Sequence, residues 1–346
     1  MNKNGLLFIN LGTPEAPEPR DVKKYLAQFL MDPYVIDIPW ILRWFLVNVI
    51  IVPKRSHSSA ALYKNIWTEE GSPLLVNSQK LLKKYQVASP DTPVGLAMRY
   101  GNPSIEGELQ KLINQGVDTI RVFPLYPQYA TSSVKTSLEE CRRILKKLNF
   151  QGKAEYYGEF YDDPRFIAPL AQSIQTVLDR ENPDYLLYSY HGLPEHQVAA
   201  TGKGCRFDST CCAQFKQNNP HCYRAQCIET TNSCNSKLNW PSSKTTIAYQ
   251  SRLGNRPWLK PYTDVVVKEL AAQGVRKLAV VCPAFTADCL ETLEEISIRI
   301  QEDFQEAGGK DVVLVPCLND HDSWVDGLSQ ITDSAQKFDL LNPAHA

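Results

Sequence analysis

The chain carries the same order of short motifs in its two halves, and this repetition restricts its fold more than any other feature of the sequence. Short apolar, β-branched runs alternate with longer helical patterns, which is typical of βαβ units and a parallel sheet. The runs predict strands at 5–11, 94–98, 119–125 and 153–157 in the first half, and at 185–191, 245–251, 277–283 and 312–317 in the second.

Matching motifs follow the matching strands. LGTPE at 11–15 and HGLPE at 191–195 come after the first strand of each half, and RYGNP at 99–103 and RLGNRP at 252–257 come after the second. Several matches in the same order indicate a duplication. We therefore predict an α/β fold with two similar domains, 1–150 and 151–320, each a four-stranded parallel sheet flanked by helices. A tail or helix follows at 321–346.

His191 is the clearest difference between the two halves, because Leu11 stands at the corresponding position. Ligands of open parallel sheets bind beyond the carboxyl ends of the strands, so the repeated loops are expected to line one cleft between the domains. Most single histidines are structural. An imidazole at a strand end beside a cleft can, however, accept a proton or bind a metal near neutral pH. We interpret His191 as a candidate catalytic residue.

Acidic residues follow the seventh predicted strand. If a helix begins near Asp288, then Asp288, Glu291 and Glu295 lie one above another on a single helix face. A capping box formed by Asp288 and Glu291 explains the first two residues equally well, but it leaves Glu295 unexplained. A row of carboxylates leading into a cleft can pass protons or hold a cation.

The most apolar segment, 35–52, contains too many polar residues to span a membrane. One interpretation is a core helix. The other is an exposed apolar lip that contacts a membrane surface or a flat hydrophobic ligand, because Trp40, Trp44, Phe45 and their aliphatic neighbours leave little polar surface for water.

Six of the ten cysteines fall between 205 and 234, which indicates a local site. The N-terminus lacks the pattern of a signal peptide, so we expect a cytoplasmic protein, with contact to the inner face of the membrane as an option for segment 35–52. Thiols stay reduced there, which favours metal binding over disulfides. The net charge of −1 argues against nucleic acid as a partner, because phosphate binding needs a basic excess.

Four stretches of the sequence closely resemble the motifs of ferrochelatases. They are INLGTP at 9–14, YSYHGLP at 188–194, YQSRLG at 249–254 with the following PWL and PYTD, and DCLETLEE at 288–295. The resemblance covers nearly the whole chain. It implies a chelatase-like pair of Rossmann-like domains and a lyase that inserts ferrous iron into protoporphyrin IX, which forms protohaem in the last step of haem synthesis.

The resemblance also implies roles for the candidate residues. His191 would face the pyrrole nitrogens and handle either protons or metal. Glu291 would lie across the macrocycle and handle the substrate Fe²⁺ with it, while Asp288 and Glu295 would continue an acidic path. Some family members carry a histidine at the position of Cys289, so the role of that histidine does not transfer to this chain.

The porphyrin would enter over segment 35–52. Arg55, Tyr63 and Ser72 are expected to bind its propionates, since carboxylates prefer cationic and hydroxyl partners. The alternative is that these three residues lie in a solvated loop.

Further pocket residues are implied at the repeated strand ends. Arg99, Tyr126 and Trp258 are expected to line the pocket, although Arg99 can equally cap a sheet. Leu11 favours protoporphyrin as the substrate, because family members that act on coproporphyrin typically carry tyrosine in that loop.

The cysteine-rich insert at 202–227 predicts a resident metal site. Four thiols there follow a C-x5-C-C-x9-C pattern that can hold [2Fe–2S] or Zn²⁺: Cys205, Cys211, Cys212 and Cys222. Zinc sites usually show paired C-x2–4-C knuckles, and several ferrochelatases carry a [2Fe–2S] cluster on additional cysteines. We therefore favour the cluster and keep zinc as the alternative. Cys227 can replace one ligand, and His221 is a weaker substitute.

Two other functions share some of these features. A cobalt chelatase for a related tetrapyrrole has the duplicated fold and a cleft histidine, but the apolar lip and Trp258 suit a planar hydrophobic porphyrin better. A non-catalytic iron–sulfur sensor or haem-binding protein would not depend on His191. The sequence leaves open whether the protein is a monomer or a homodimer.

Overall fold

The computed structural model describes residues 3–201, Cys205, Phe207, Cys211, Cys212, 220–252, Gly254 and 256–334. It contains all eight predicted strands, with ends that differ from the prediction by three residues at most. The strands are β1 Asn4–Gly12, β2 Val94–Tyr100, β3 Thr119–Pro124, β4 Lys153–Tyr156, β5 Tyr185–His191, β6 Thr245–Gln250, β7 Lys277–Val281 and β8 Asp311–Leu314.

Both sheets are entirely parallel and have the same strand order. The first is β2-β1-β3-β4 and the second is β6-β5-β7-β8, so the predicted duplication of a four-stranded sheet is confirmed. In each sheet the chain leaves the central strand on one side and returns on the other. This order places a topological switch point beside the carboxyl ends of β1 and β5, where open α/β sheets bind their ligands.

Helices connect the strands, as the alternating pattern predicts. In the described part of the chain the α-helices include α1 Pro19–Leu30, α2 Trp40–Phe45, α3 Val52–Ile66, α4 Pro73–Ala88, α5 Ile105–Asn114, α6 Thr136–Lys147, α7 Pro164–Glu181, α8 Glu195–Ala200, α9 Tyr223–Asn235, α10 Thr263–Ala272, α11 Leu290–Leu293, α12 Gln301–Glu306 and α13 Asp322–Asp333. Segments Leu46–Ile51, Thr131–Lys135 and Glu295–Ile300 are π-helical, and Ser242–Lys244 is a 3₁₀ turn.

The chain divides into two compact units. The first contains the residues up to Tyr126, Thr131–Glu159 and the segment from Asp320 onward, and the second contains Pro127–Ala130 and Phe160–Asn319. The first unit therefore includes β4 and α13, which lie beyond the boundary at 150 that we derived from the sequence. β4 belongs there because it pairs with β3.

Helix α13, in the segment predicted as a tail or helix, is part of the folded core of the first unit. It packs on α4, where the hydroxyls of Tyr85 and Thr332 lie 2.5 Å apart and both residues are buried. Trp324 and Leu328 on α13 are also fully buried, so this helix contributes to the core of the first unit.

The glycines that the two halves share serve the fold. Gly12 has a φ of +117°, and a Cβ there would overlap the Tyr100 carbonyl oxygen on β2. A Cβ on Gly192 would lie 2.8 Å from the Gln250 carbonyl oxygen on β6. In both sheets the first two strands approach each other so closely that only glycine fits at this position.

Candidate active site

His191 is the last residue of β5 and lies half-buried at the switch point of the second sheet. Its Nδ1 atom is 2.6 Å from the Gly192 carbonyl oxygen. A carbonyl oxygen only accepts hydrogen bonds, so Nδ1 carries the proton in this contact, and Nε2 of the neutral ring keeps its lone pair. That lone pair can accept a proton or bind a metal ion.

Apolar rings lie beside this histidine. The Phe285 ring meets the imidazole edge-on, with the ring centres 6.3 Å apart. Trp258 is half-buried and bridges to Pro194 in the loop that follows His191, and its ring passes 3.3 Å from the place of a Cβ on Gly192. The structure therefore brings Trp258 to the loop at the end of β5.

The helix after β7 begins at Leu290, and its N-cap lies one residue later than the Asp288 cap considered from the sequence. Cys289 is the N-cap of α11, and Thr292 Oγ1 accepts a hydrogen bond from the Cys289 backbone N–H at 3.0 Å. The predicted capping box of Asp288 and Glu291 is therefore wrong, because Cys289 and Thr292 form the box instead.

Asp288 turns its carboxylate into the interior of the second unit. The carboxylate accepts hydrogen bonds from Asn319 Nδ2 at 2.7 Å, from Thr292 Oγ1 at 3.1 Å and from the Cys317 backbone N–H at 3.3 Å. These partners explain why Asp288 does not cap the helix. The residue joins the start of α11 to the segment after β8.

Glu295 is bound to the end of β6. Its carboxylate accepts hydrogen bonds from the Ser251 backbone N–H at 3.0 Å and from the Ser251 hydroxyl, and Arg299 Nη2 lies 3.8 Å away. Ser251 has a φ of +64°, a left-handed conformation that is uncommon for a side chain with a Cβ. Glu291 is half-buried, and its backbone carbonyl is held by Gln250.

A preformed metal site is not part of this arrangement. Across the described residues, no three or more His, Cys, Asp or Glu side chains are placed so that they can hold a metal ion together. Burial, with a further contribution from Glu291, raises the pKa of the Cys289 thiol well above its usual range, so this thiol stays protonated.

The predicted propionate residues lie on helices of the first unit. Arg55 is exposed on α3. Tyr63 is buried on the same helix and meets Trp67 edge-on with ring centres 6.2 Å apart. Ser72 is the buried N-cap of α4 and accepts a hydrogen bond from Thr13 Oγ1 at 2.8 Å. The interpretation of these residues as a solvated loop is therefore wrong, because two helices place them.

Arg99, which is half-buried at the end of β2, forms an ion pair with the buried Asp32. The Asp32 carboxylate accepts hydrogen bonds from Arg99 at 2.5 Å, from the Tyr100 hydroxyl at 2.8 Å and from Thr136 Oγ1 at 2.6 Å. Arg99 also donates to Thr136 Oγ1 at 2.9 Å. These contacts correspond to the alternative in which Arg99 caps the sheet.

Leu11 and Tyr126 flank the switch point of the first sheet. Leu11 is half-buried near the end of β1, and Tyr126 is buried two residues after β3. Burial raises the pKa of Tyr126 above its ordinary value, so its hydroxyl stays neutral at physiological pH.

The apolar segment presents its hydrophobic side chains to solvent. Seven of its residues are between 47% and 73% exposed: Trp40, Ile41, Leu42, Trp44, Phe45, Val49 and Ile50. Arg43 is buried instead and donates to the carbonyl oxygens of Ile36 at 3.0 Å and Ile38 at 2.9 Å. The core-helix interpretation is therefore wrong. No helix in the described part of the chain is long and apolar enough to cross a membrane.

The four predicted cysteine ligands affect one another's pKa values. A hydrogen bond with Cys212 and then burial raise the pKa of Cys222, and Cys205 raises it further. Burial raises the pKa of Cys205, with smaller contributions from Cys211 and Cys212. Arg224 Nη1 lies 3.1 Å from Cys212 Sγ and donates to it.

The two possible substitute ligands are placed differently. Cys227 is fully buried inside α9. The ring of His221 packs against Tyr129, with the ring centres 4.7 Å apart. Within the insert, residues 202–204, 206, 208–210 and 213–219 lie outside the described part of the chain.

Comparison with known proteins decides the family. Residues 3–336 match the ferrochelatase family. Ferrochelatases of Pseudomonas syringae pv. tomato and of Stutzerimonas stutzeri are both 45% identical to the chain, over 97% of its length and 99% of theirs. The chain belongs to the ferrochelatase family. Ferrochelatases insert ferrous iron into protoporphyrin IX in the final step of haem synthesis, and the chain is an enzyme of this kind.

A solved structure agrees with the ferrochelatase fold. SirB from Bacillus subtilis with Fe³⁺ matches with a TM-score of 0.50 over 95% of this chain and 93% of that one. The sequences are 14% identical, so this likeness bears on the fold alone.

Gln250 contacts several residues of the candidate site, and the sequence analysis missed it. It is buried, pairs with His191 across β5 and β6, and accepts a hydrogen bond from Ser189 Oγ at 2.6 Å. Its Nε2 donates to the Glu291 carbonyl oxygen at 2.7 Å and lies 3.5 Å from the Glu295 carboxylate. A polar residue that ends an apolar strand was the available signal, because the same signal marks His191.

Gln250→Glu tests whether the Gln250 amide connects the end of β6 to Glu291 and Glu295. The substitution keeps the shape but replaces the donor with an acceptor that faces a carbonyl and a carboxylate. We expect the free energy of unfolding at pH 7 to fall by about 2–4 kcal/mol. The loss should shrink as the pH falls, because the introduced buried carboxyl has a raised pKa and donates again once protonated. Urea unfolding between pH 5 and 8 measures this.

The matched control is Gln110→Glu, at an exposed position on α5. It should leave stability nearly unchanged over the same pH range. Equal losses in the two variants, or a loss at Gln250 that does not vary with pH, would contradict the role assigned to this amide.

Proposed function

We propose that the chain inserts ferrous iron into protoporphyrin IX with His191 as the group that faces the pyrrole nitrogens. The observation that carries this proposal is the imidazole at the end of β5, where the Gly192 carbonyl oxygen accepts the Nδ1 proton and leaves the Nε2 lone pair free. Its position at the switch point of the second sheet supports the same assignment.

Metal insertion requires a group that accepts the pyrrole protons and a rigid apolar surface that holds the macrocycle. Two pyrrole protons leave the macrocycle as the metal enters, and a neutral imidazole can accept protons near pH 7. Phe285 and Trp258 lie around His191 and its loop and supply flat apolar surface for the porphyrin. Substrate Fe²⁺ would meet His191 Nε2 and Glu291 only when porphyrin is bound.

The three acidic residues Asp288, Glu291 and Glu295 have different roles in this proposal. Glu291 is the carboxylate that acts with His191, because its backbone is held by Gln250 while the residue remains half-buried. Glu295 continues the path at the end of β6, where the Ser251 N–H and hydroxyl orient it. Asp288 anchors the start of the segment through Asn319.

The first unit supplies the porphyrin contacts. Arg55 is the exposed cation available to a propionate, and Tyr63 and Ser72 are the hydroxyl groups that would accompany it, although both are buried. Leu11 and Tyr126 line the apolar switch point of the first sheet. An aliphatic side chain at position 11 suits the vinyl-bearing edge of protoporphyrin better than a carboxylate-rich ring.

The exposed face of 40–50 is proposed to contact a membrane surface, so the protein is a cytoplasmic one that binds the bilayer peripherally. Its tryptophans and aliphatic residues point outward, and Arg43, its one charged residue, points inward. Such a surface is stable beside lipid headgroups and acyl chains but unfavourable in water. It would also receive an apolar macrocycle.

The four cysteines are proposed to hold a [2Fe–2S] cluster. Cys205, Cys211, Cys212 and Cys222 are the four thiols that such a cluster would take as thiolates. Among the described residues they are not preassembled as a metal-binding group, so the cluster would have to draw them together. The Arg224 guanidinium beside Cys212 favours a negatively charged cluster. Metal insertion changes no oxidation state, so the reaction gives the cluster no redox step to perform. The role proposed for the cluster is structural, because it would cross-link the insert.

His191→Ala and Glu291→Gln test the catalytic assignment. Each should lower the rate of Fe²⁺ insertion into protoporphyrin by at least about 100-fold, since each removes a group that touches the reacting atoms. A stopped assay of protohaem formation measures this. Circular dichroism and the unfolding midpoint should match the parent protein. His196→Ala, at an exposed histidine five residues later, should keep full activity, and substantial activity in His191→Ala would refute the assignment.

The visible spectrum of anaerobically purified protein tests the cluster. We expect a coloured protein with about two iron and two sulfide ions per chain. Cys205→Ser should lose this absorbance, whereas Cys234→Ser, at a buried thiol of α9 outside the pattern, should keep it. A colourless parent protein with one zinc ion would establish the alternative metal.

Binding to lipid vesicles tests the apolar face. Ile41→Asp should weaken sedimentation with phospholipid vesicles by at least about tenfold, because it places a charge where an apolar side chain would enter the headgroup region. Val87→Asp is the control, since Val87 is an isolated exposed residue on α4. Equal binding by the two variants would show that this face does not contact lipid.

A further inference from the structure

The carbonyl group of His191 has no partner within its own sheet. β5 pairs with β6 as far as His191 and Gln250, but its pairing with β7 ends at Tyr188 and Val281. The Gly192 N–H donates to the Gln250 carbonyl oxygen at 2.7 Å, on the β6 side. Because the C=O and N–H of a trans peptide point in opposite directions, the His191 carbonyl points to the β7 side, beyond the last pair.

Tyr223 supplies the missing donor. Its hydroxyl donates to the His191 carbonyl oxygen at 2.7 Å, and the side chain is buried. A backbone carbonyl of a half-buried strand end needs such a partner, and a fixed aromatic ring provides it with little loss of side-chain entropy. The peptide between His191 and Gly192 is therefore held at both its oxygen and its nitrogen.

Helix α9 is tied to β5 at two further points, with the same chemistry. The hydroxyls of Tyr190 and Thr231 lie 2.8 Å apart, and the Tyr188 hydroxyl donates to Asn235 Oδ1 at 2.9 Å. Tyr223 differs from these two links because its partner is the backbone of the candidate catalytic residue. Removing it would leave the helix attached to the strand but release the His191 peptide.

The start of α9 also belongs to the cysteine site. Cys222 is the N-cap of this helix and Tyr223 is its first residue. Arg224 in the same turn donates to the sulfur of Cys212, another of the four cysteines, at 3.1 Å. The position of the first turn of α9 therefore depends on the cysteines, and the position of the Tyr223 hydroxyl depends on that turn.

We propose that Tyr223 is a positioning residue, through which the cysteine site holds the His191 peptide and thereby fixes the imidazole. The proposal rests on the proposed function, because it assumes that His191 acts on the substrate. It involves no electron transfer. Rotation of this peptide would move both the His191 side chain and the Gly192 carbonyl group that orients Nδ1, and reaction rates respond strongly to such displacements.

Tyr223→Phe, compared with Tyr188→Phe, tests the proposal. Both substitutions remove one hydroxyl between β5 and α9, so they should lower the unfolding midpoint similarly. Only Tyr223→Phe should reduce kcat for iron insertion, by about tenfold, and it should leave KM for porphyrin within about twofold of the parent value. Tyr188→Phe should retain the parent kcat.

A spectroscopic measurement separates positioning from general destabilisation. In protein with ¹³C-labelled histidine rings, the His191 signal is assigned by its absence in His191→Ala. It should shift in Tyr223→Phe and stay in place in Tyr188→Phe. It should also shift in Cys205→Ser, where the cluster is lost but the N-cap Cys222 remains. An unmoved signal in Cys205→Ser would overturn the link to the cysteine site.

The outcomes distinguish this inference from the proposed function. If His191→Ala stays active, the proposed function fails whatever Tyr223 does. If His191→Ala is inactive while Tyr223→Phe keeps both kcat and the His191 signal, the function stands and the positioning role is refuted. Equal loss of kcat in the Tyr223 and Tyr188 variants would likewise refute it, because a shared effect reflects helix packing.

Discussion

The peptide between His191 and Gly192 is the constraint on which the candidate site depends. Gly192 permits the close approach to Gln250, whose carbonyl oxygen accepts the Gly192 N–H at 2.7 Å. The carbonyl of Gly192 then accepts the Nδ1 proton of His191. A single glycine therefore fixes strand spacing, the tautomer of the imidazole and the direction of Nε2, and Gln250 extends the same control to the backbone of Glu291.

The two halves use one sheet topology for different purposes. At the end of β1 the position of the imidazole is occupied by Leu11, and the first unit adds the exposed apolar face of 40–50 with Arg43 buried behind it. The first unit thus offers apolar surface, and the second offers ionisable groups. Metal insertion into a porphyrin needs both, because an apolar ring must be held while protons leave it and a cation enters.

The sequence was informative where neighbouring residues decide the structure. Apolar runs predicted all eight strands, and the repeated Gly12 and Gly192 marked the strand ends. It was misleading where a distant partner decides. The helix-cap alternative for Asp288 failed because Asn319 and Cys317, about thirty residues later in the chain, donate hydrogen bonds to its carboxylate. The solvated-loop alternative for Ser72 failed because Ser72 is buried and accepts a hydrogen bond from Thr13, which is distant in sequence.

The repeated arginines show why a shared motif does not imply a shared role. Arg252 pairs with Asp264 at 2.6 Å where both are exposed, an arrangement that contributes little to stability. Arg99 pairs with Asp32 inside the first unit, where Tyr100 and Thr136 complete the hydrogen bonds of the same carboxylate. A propionate would have to compete with that buried carboxylate for Arg99, whereas Arg55 is exposed and available to an anionic ligand.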